Sequence, residues 1–310
     1  MMPPESSNVA SVVTAGSVAR ASIVIPAHNE EAVIARCLTA LLDGANPGEL
    51  EILVVCNGCT DRTAEIAGGF GEAVQVLHCP VASKIAALNY GDQRATAFPR
   101  FYVDADVVMT IDALRKTVAV LSSGKYLAAS PAIDWDLSRS SWAVRAFYAV
   151  WRKHPYFDSG RLGSGLYALS AAGHDRLKEF PQLTADDEYV RQLFDDSERT
   201  TLAECRFLVT PPRGLADLIK IKTRSRRGNL ELERLQPVRA KAQRPSRGRF
   251  LSRLVCAPWL WPALPVYFYV VWQTSVRARQ TLAKGNPQWE RDLSSRTTAE
   301  PAAPRRSPDE

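Results

Sequence analysis

Two carboxylates one residue apart, Asp104 and Asp106, follow the apolar run Phe101-Tyr102-Val103. Side chains alternate along a strand, so residues i and i+2 face the same way. If the strand ends at Val103, the turn beyond it can aim both acids at one spot. Two anions that close repel each other unless a cation lies between them. Hard divalent ions such as Mg²⁺ or Mn²⁺ suit these oxygen ligands, and Mg²⁺ is usually shared with substrate phosphates. Asp104 and Asp106 therefore read as a clamp for a metal and a diphosphate. Alone, Asp-x-Asp is also the pattern of a solvated loop after a strand. A second acidic group, Asp186-Asp187-Glu188, opens a helical stretch. It is equally consistent with a helix N-terminus stabilised by the macrodipole and capped by Thr184.

The elements around these acids follow a regular order. Ser22–Pro26, Glu51–Val55 and Val74–Leu77 are short continuous apolar runs, the pattern of buried parallel strands. A helical pattern follows the first run, with Asn29 placed to cap it and Gly44 to end it. Arg62–Ala67 begins a second helix. The β-α-β-α-β order implies a parallel sheet covered by helices on both faces. Such sheets bind ligands at the carboxyl ends of their strands, near a reversal in strand order. Asn29, Glu30, Asn57, Asp61, Asp104 and Asp106 all fall just after strands and are expected on one rim. Lys84 opens a further helix. Gly163-Ser164-Gly165 forms a glycine-hinged loop running into a strand, and Gly214–Arg227 reads as a helix basic on one side.

Composition limits the alternatives. The chain has 310 residues, 46% hydrophobic and 23% charged, which is an ordinary globular balance with room for a sizeable core. The net charge of +6 is concentrated between Lys220 and Arg253, where only Glu231 and Glu233 oppose it. Such a run suits phosphates, an anionic membrane or nucleic acid. Six cysteines include one close pair, Cys56 and Cys59. No partner set completes a zinc site, and a redox C-x-x-C is the weaker reading of that pair. A reducing, cytosolic setting is the default. Residues 1–20 lack the basic start of a signal peptide and read as a loosely ordered lead-in. Residues 291–310 read as a disordered tail.

Four motifs then stand in a recognisable order. Ser22-Ile23-Val24-Ile25-Pro26-Ala27-His28-Asn29-Glu30-Glu31 resembles the opening of the family 2 inverting glycosyltransferases. Val54–Ala64 resembles their second strand and turn, Lys84–Asn89 their Lys-x-x-Ala-Leu-Asn helix, and Asp104-Ala105-Asp106 their Asp-x-Asp. Asp186-Asp187-Glu188 sits where the family carries its acidic pair. The resemblance covers residues 22 to 230 and implies a GT-A type, Rossmann-like α/β fold: a central mixed, mainly parallel sheet flanked by helices. It implies a nucleotide-sugar donor, with a UDP-sugar favoured and a GDP-sugar an alternative, and Mn²⁺ or Mg²⁺ held by Asp104 and Asp106. Pro26, Ala27, Asn29 and Glu30 would line the nucleotide. Asn57 would face the base, in a position that is usually Asp, and Lys84 would support base or diphosphate. The Gly163-Ser164-Gly165 loop would touch donor or acceptor. Asp187 would be the catalytic base, with Asp186 the alternative. His28 is expected as a rim or packing residue.

This chain departs from the family's pattern in lacking a Gln-x-x-Arg-Trp sequence. Arg224 or Arg227, in the comparable region, could bind the diphosphate, since guanidinium matches phosphate oxygens two at a time. A solvated cationic face is the competing reading. The division expected is a lead-in to residue 20, a catalytic domain at 21–230, a basic and aromatic-rich helical segment at 231–290 and the tail. Val255–Trp272 is almost uncharged but holds three prolines and many aromatics. It could lie on a membrane, span it once, or cover the sheet. The expected location is the cytoplasm, peripheral to or singly anchored at the inner face of the membrane. The expected acceptor is small or lipid-linked, and nucleic acid is not an expected partner. The competing functions are a sugar-nucleotide pyrophosphorylase, a non-catalytic sugar-nucleotide scaffold, and a membrane- or nucleic-acid-binding protein using the Lys220–Arg253 run. The first lacks its glycine-rich phosphate loop near Pro26–Glu31.

Overall fold

A computed structural model describes residues 20–158, 162–237 and 246–283. The lead-in, apart from residue 20, and the tail expected from sequence lie outside the described residues.

The apolar runs form strands one to three residues longer than their hydrophobic cores suggest. They are β1 (Ala21–Ala27), β2 (Leu50–Asn57), β3 (Gln75–Cys79) and β4 (Arg100–Val103). β2, β1 and β4 lie side by side and parallel, with β3 outside β2. The sheet continues through β7 (Leu166–Leu169), β6 (Ala128–Trp135), β8 (Arg199–Val209) and the short β5 (Val108–Met109). β7 runs antiparallel to β4 and β6, and β5 antiparallel to β8, while β6 and β8 are parallel. The sheet is thus mixed, with a parallel half built by the first four strands.

Alternation along β1 divides the interior in two. Ile23 and Ile25 face helix α1 (Ile34–Leu42), α2 (Thr63–Gly68) and α4 (Ile111–Ser122), packing with Leu38, Leu41, Leu114 and Phe101. Val24 faces the other side. There α3 (Lys84–Asp92), α6 (Ala171–Leu177) and α7 (Asp186–Leu193) bring Leu88, Leu177 and Val190, and the loop between α6 and α7 brings Phe180, against Tyr102 and Tyr167. A third apolar cluster lies beside the sheet. It joins α5 (Trp142–Trp151), α8 (Leu215–Leu235), α9 (Arg247–Val255), a 3₁₀ segment at Pro258–Ala263, and α10 (Leu264–Ala283).

Two expected caps are absent. Asn29 does not cap α1, whose first residue is Ile34 and whose N-cap, Val33, makes no side-chain bond. Instead the Glu30 carbonyl accepts the N–H groups of Val33 and Ile34. Asn29 takes a positive φ of 54° and turns its amide towards the next loop. Thr184 does not cap α7; Ala185 precedes that helix, again with no side-chain bond. Ser83 and Thr110 do cap α3 and α4.

Candidate active site

Because β1, β2 and β4 are parallel, their carboxyl ends share one rim, and the strand order reverses between β1 and β4. The loops after β1 and β2 are stitched together there. The Oδ1 of Asn29 accepts the N–H of Thr60 at 2.8 Å. Asp61 accepts the N–H of Glu31 at 3.1 Å, and the N–H and hydroxyl of Thr63 at 3.0 and 2.5 Å. The Glu30 N–H donates to Thr63 Oγ1 at 2.7 Å. Burial pushes the Asp61 carboxyl up, but these hydrogen bonds outweigh it and hold the group below the usual carboxylate range. Pro26 and Ala27 lie inside β1, and Glu30 is buried at the start of the loop. Asn57, also buried, ends β2, and its carbonyl is bonded by the His28 ring. His28 thus packs at the rim against the end of β2.

The acids gather around one ammonium. Lys84, the first residue of α3, reaches Asp104 Oδ1 at 2.9 Å and Asp186 Oδ1 at 3.1 Å. Burial alone would lower the Lys84 pKa, but Asp104, Asp186 and Asp187 outweigh it and keep the group charged. Asp186 is buried, and desolvation raises its carboxyl to about 6; Lys84 opposes that rise while Asp187 and Asp104 add to it. Asp187 is half-buried at the rim. Its Oδ2 accepts the N–H of Ser164 at 3.0 Å and its Oδ1 the N–H of Glu188 at 2.7 Å.

The glycine loop touches both acidic groups. The Gly165 carbonyl accepts the Asp104 N–H at 2.7 Å. Gly163 and Gly165 have φ of 96° and 100°, and a Cβ on Gly163 would sit 2.6 Å from the Asp187 Cβ. Only glycine satisfies both the backbone angle and that approach. A small cavity beneath is lined by Lys84, Tyr102, Asp104, Tyr167, Asp186 and Asp187. The Tyr167 hydroxyl is buried there with no hydrogen-bond partner among the described residues. Sequence reading missed it, along with Thr63; its only signal is its place after the Gly-Ser-Gly-Leu run.

Asp106 lies in the turn beyond Asp104, where Arg36 Nη2 donates to its carbonyl at 3.3 Å. Asp104 and Asp106 both add to the burial that raises the Cys37 thiol on α1, so both acids lie within electrostatic reach of that helix. Among the described residues, no three His, Cys, Asp or Glu side chains group tightly enough to cage a metal by themselves. Two hard carboxylates fit an ion that completes its shell with water and phosphate oxygens.

The basic stretch of α8 is mostly paired. Lys220 meets Asp217 at 3.0 Å, Arg226 meets Glu233 at 3.7 Å, and Arg227 meets Glu231 at 3.4 Å. Lys222 sits 4.9 Å from the Trp151 ring centroid. Gly228 packs against Ala185 and Thr184, so α8 crosses the start of α7. Arg224, four residues earlier, shares that face and is half-buried. A second cleft, of about 200 Å³, borders the glycine loop at Gly163 and is lined by Trp135, Arg152, Phe157, Thr201 and Arg206. Phe157 meets Trp135 edge-on at 5.2 Å, and Arg152 lies 5.0 Å from the Trp135 centroid.

Residues 22–170 match the family model described as glycosyl transferase family 2. Over 95 residues the chain is 34% identical to "Probable glycosyltransferase YdaM" of Bacillus subtilis, covering 28% of this chain and 23% of that protein. Over 106 residues it is 31% identical to glycosyltransferase AglE of Haloferax volcanii, covering 33% and 35%. The matches thus span about a quarter and a third of those relatives' lengths. Among solved structures, the fold is similar to mannosyltransferase PcManGT from Pyrobaculum calidifontis, in complex with GDP-Man and Mn²⁺. That match has a TM-score of 0.56 at 21% identity, over 86% of this chain and 79% of the other. S. aureus TarS 1–349 in complex with UDP-GlcNAc superposes with a TM-score of 0.51 at 16% identity, over 69% and 66%. The architecture, a mixed and mainly parallel sheet between helices, is shared with these solved structures.

Proposed function

We propose that this chain is an inverting, metal-assisted glycosyltransferase that moves a sugar from a nucleoside diphosphate to an acceptor hydroxyl. One observation carries the reading. Lys84 and Asp104, inside the stretch 22–170 that matches the family 2 model, meet Asp186 and Asp187, which lie beyond it, at the carboxyl ends of parallel strands and at the reversal in strand order.

The stitched loops after β1 and β2 form the nucleotide side of the site, with Pro26, Ala27, Asn29, Glu30 and Asn57 as its contacts. Asn57 both donates and accepts, so uracil and guanine each offer it a partner. Asp104 and Asp106 would hold Mn²⁺ or Mg²⁺, which supplies Lewis-acid stabilisation of the departing diphosphate. Lys84 adds a fixed positive charge beside Asp104, and Arg224 or Arg227 on α8 is assigned to the diphosphate. Asp187 serves as the base: it is at the rim, whereas Asp186 is buried against Lys84. Its carboxylate takes the proton of the attacking hydroxyl, the acceptor oxygen bonds to the anomeric carbon, and the bond to the diphosphate breaks on the opposite face. A single displacement inverts that carbon. The cleft of Trp135, Phe157, Arg152 and Arg206 adjoins Asp187 through Gly163 and is assigned to the acceptor.

The test is calorimetric titration with UDP, GDP and other nucleoside diphosphates, with and without Mn²⁺. One nucleotide is expected to bind only with metal, and Asp106→Ala to lose that dependence along with most of the affinity. Asp187→Asn should keep nucleotide binding and lose about 10²-fold or more in turnover. If no nucleotide binds under any metal condition, the transferase reading fails.

A further inference from the structure

The C-terminal helices carry a surface that the proposed reaction leaves unused. α10 packs inward through Tyr267, Val270, Thr274 and Ala278, one stripe at helical spacing, against α5 and α8. Its opposite side, with α9 and the 3₁₀ segment, leaves Val255, Trp259, Trp261, Phe268, Tyr269 and Trp272 exposed. Trp259 is 69% and Trp272 60% accessible, although each ring has a large apolar area to bury. Soluble surfaces rarely hold so many large apolar groups together. From Ser246 to Ala283 the sequence contains five arginines and no acidic residue. Arg247 and Arg249 precede the aromatic patch, and Arg277 and Arg279, both exposed, follow it.

We infer that this face docks on the surface of an anionic phospholipid bilayer and lies in the interface without crossing it. Tryptophan and tyrosine favour the headgroup level, where the ring is buried and its polar edge stays wet. Arginines on either side of the patch add attraction to anionic headgroups. Crossing is disfavoured by geometry. No single helix among the described residues is long and apolar enough to span; α9 and the segment Pro258–Ala283 reach that length and apolarity only as a pair, bent by 110° at their break. α10 also gives one whole side to α5 and α8, so only its outer stripe can meet lipid. The same face is tied to the region of the acceptor cleft: Arg249 and Arg253 bond Asp158, next to Phe157. A membrane held here would border the entrance through which a lipid-linked acceptor arrives.

The test is co-sedimentation of the full chain with vesicles of phosphatidylcholine alone or mixed with phosphatidylglycerol, at low and high salt. Tryptophan quenching by lipid-borne quenchers would report insertion depth. Binding is expected only with the anionic lipid, weakened by salt, with shallow quenching. Trp259→Ser combined with Trp272→Ser should weaken it on the order of tenfold. Arg277→Gln with Arg279→Gln should reduce the preference for anionic lipid, and this second pair leaves the apolar patch untouched if the first impairs folding. No vesicle binding, or equal binding to neutral vesicles, would overturn the inference. So would resistance to alkaline extraction from cell membranes, the mark of a span. A lipid-free dimer abolished by the tryptophan changes would assign the face to a second copy instead.

Discussion

Asp186 and Asp187 are neighbours in sequence but opposites in environment. Asp186 is buried against Lys84, and desolvation lifts its carboxyl to about 6; Asp187 is held at the rim by the N–H of Ser164. Protonating Asp186 frees one of the charges that fix Lys84 beside Asp104. Turnover is therefore expected to fall below about pH 6, and Asp186→Asn to remove that acid limb from the pH–rate profile. The stability effect has the opposite sign. Between the ordinary carboxyl value of 3.8 and about 6 the folded state holds a proton that the unfolded chain has lost. This group's contribution to stability therefore declines as pH rises through that window. At this scale the sequence was a good guide where residue type dictates chemistry: Asp104, Lys84, Asp186 and Asp187 converge. It misled at Asn29, a residue suited to capping, because tertiary pairing with Thr60 outcompetes the local helix end. Tyr167 was invisible because its meaning lies in a cavity formed by four separate elements, α3, β4, β7 and α7.

The glycine loop before β7 shows how one connection can serve two acids. Its backbone accepts from Asp104 N–H through Gly165 and donates to Asp187 through Ser164. Gly163→Ala adds a methyl group where the Asp187 side chain lies and penalises a φ of 96°. The expected result is a loss of turnover of about tenfold or more, with nucleotide affinity little changed, because the atoms nearest the methyl group all belong to Asp187. Comparing kcat with calorimetric affinity checks this. The elements themselves were legible wherever a continuous apolar run or helical spacing marks them, as in β1, β2 and α4. The pairing of β6, β7, β8 and β5 was not. A strand's partner depends on contacts far along the chain, and the antiparallel half of this sheet carries no local signal of its order.

The molecule places two unlike surfaces on one frame: a polar rim at the strand ends, and an aromatic, arginine-flanked face on the C-terminal helices. The third apolar cluster joins them. The Phe147 and Tyr267 rings stack at 5.4 Å, and Val270 is fully buried between α10 and its supports. From sequence alone, Val255–Trp272 favoured contact with a membrane but left covering the sheet open, because its composition does not say which side of each helix is partnered. The structure separates an inner stripe, which packs on α5 and α8, from an outer one left exposed. This arrangement makes the two surfaces separable by mutation. Val270→Asp would put an unpaired carboxylate into the cluster at a cost of about 3–5 kcal/mol. Because Val270 touches none of the strand-end residues, the damage should begin at α10. Limited proteolysis is expected to cleave first within residues 246–283. Metal-dependent nucleotide binding should survive at low temperature, and vesicle binding should be lost. Equal loss of nucleotide and vesicle binding would instead make the helical layer and the sheet one cooperative unit, so that docking at the membrane and order at the rim would rise and fall together.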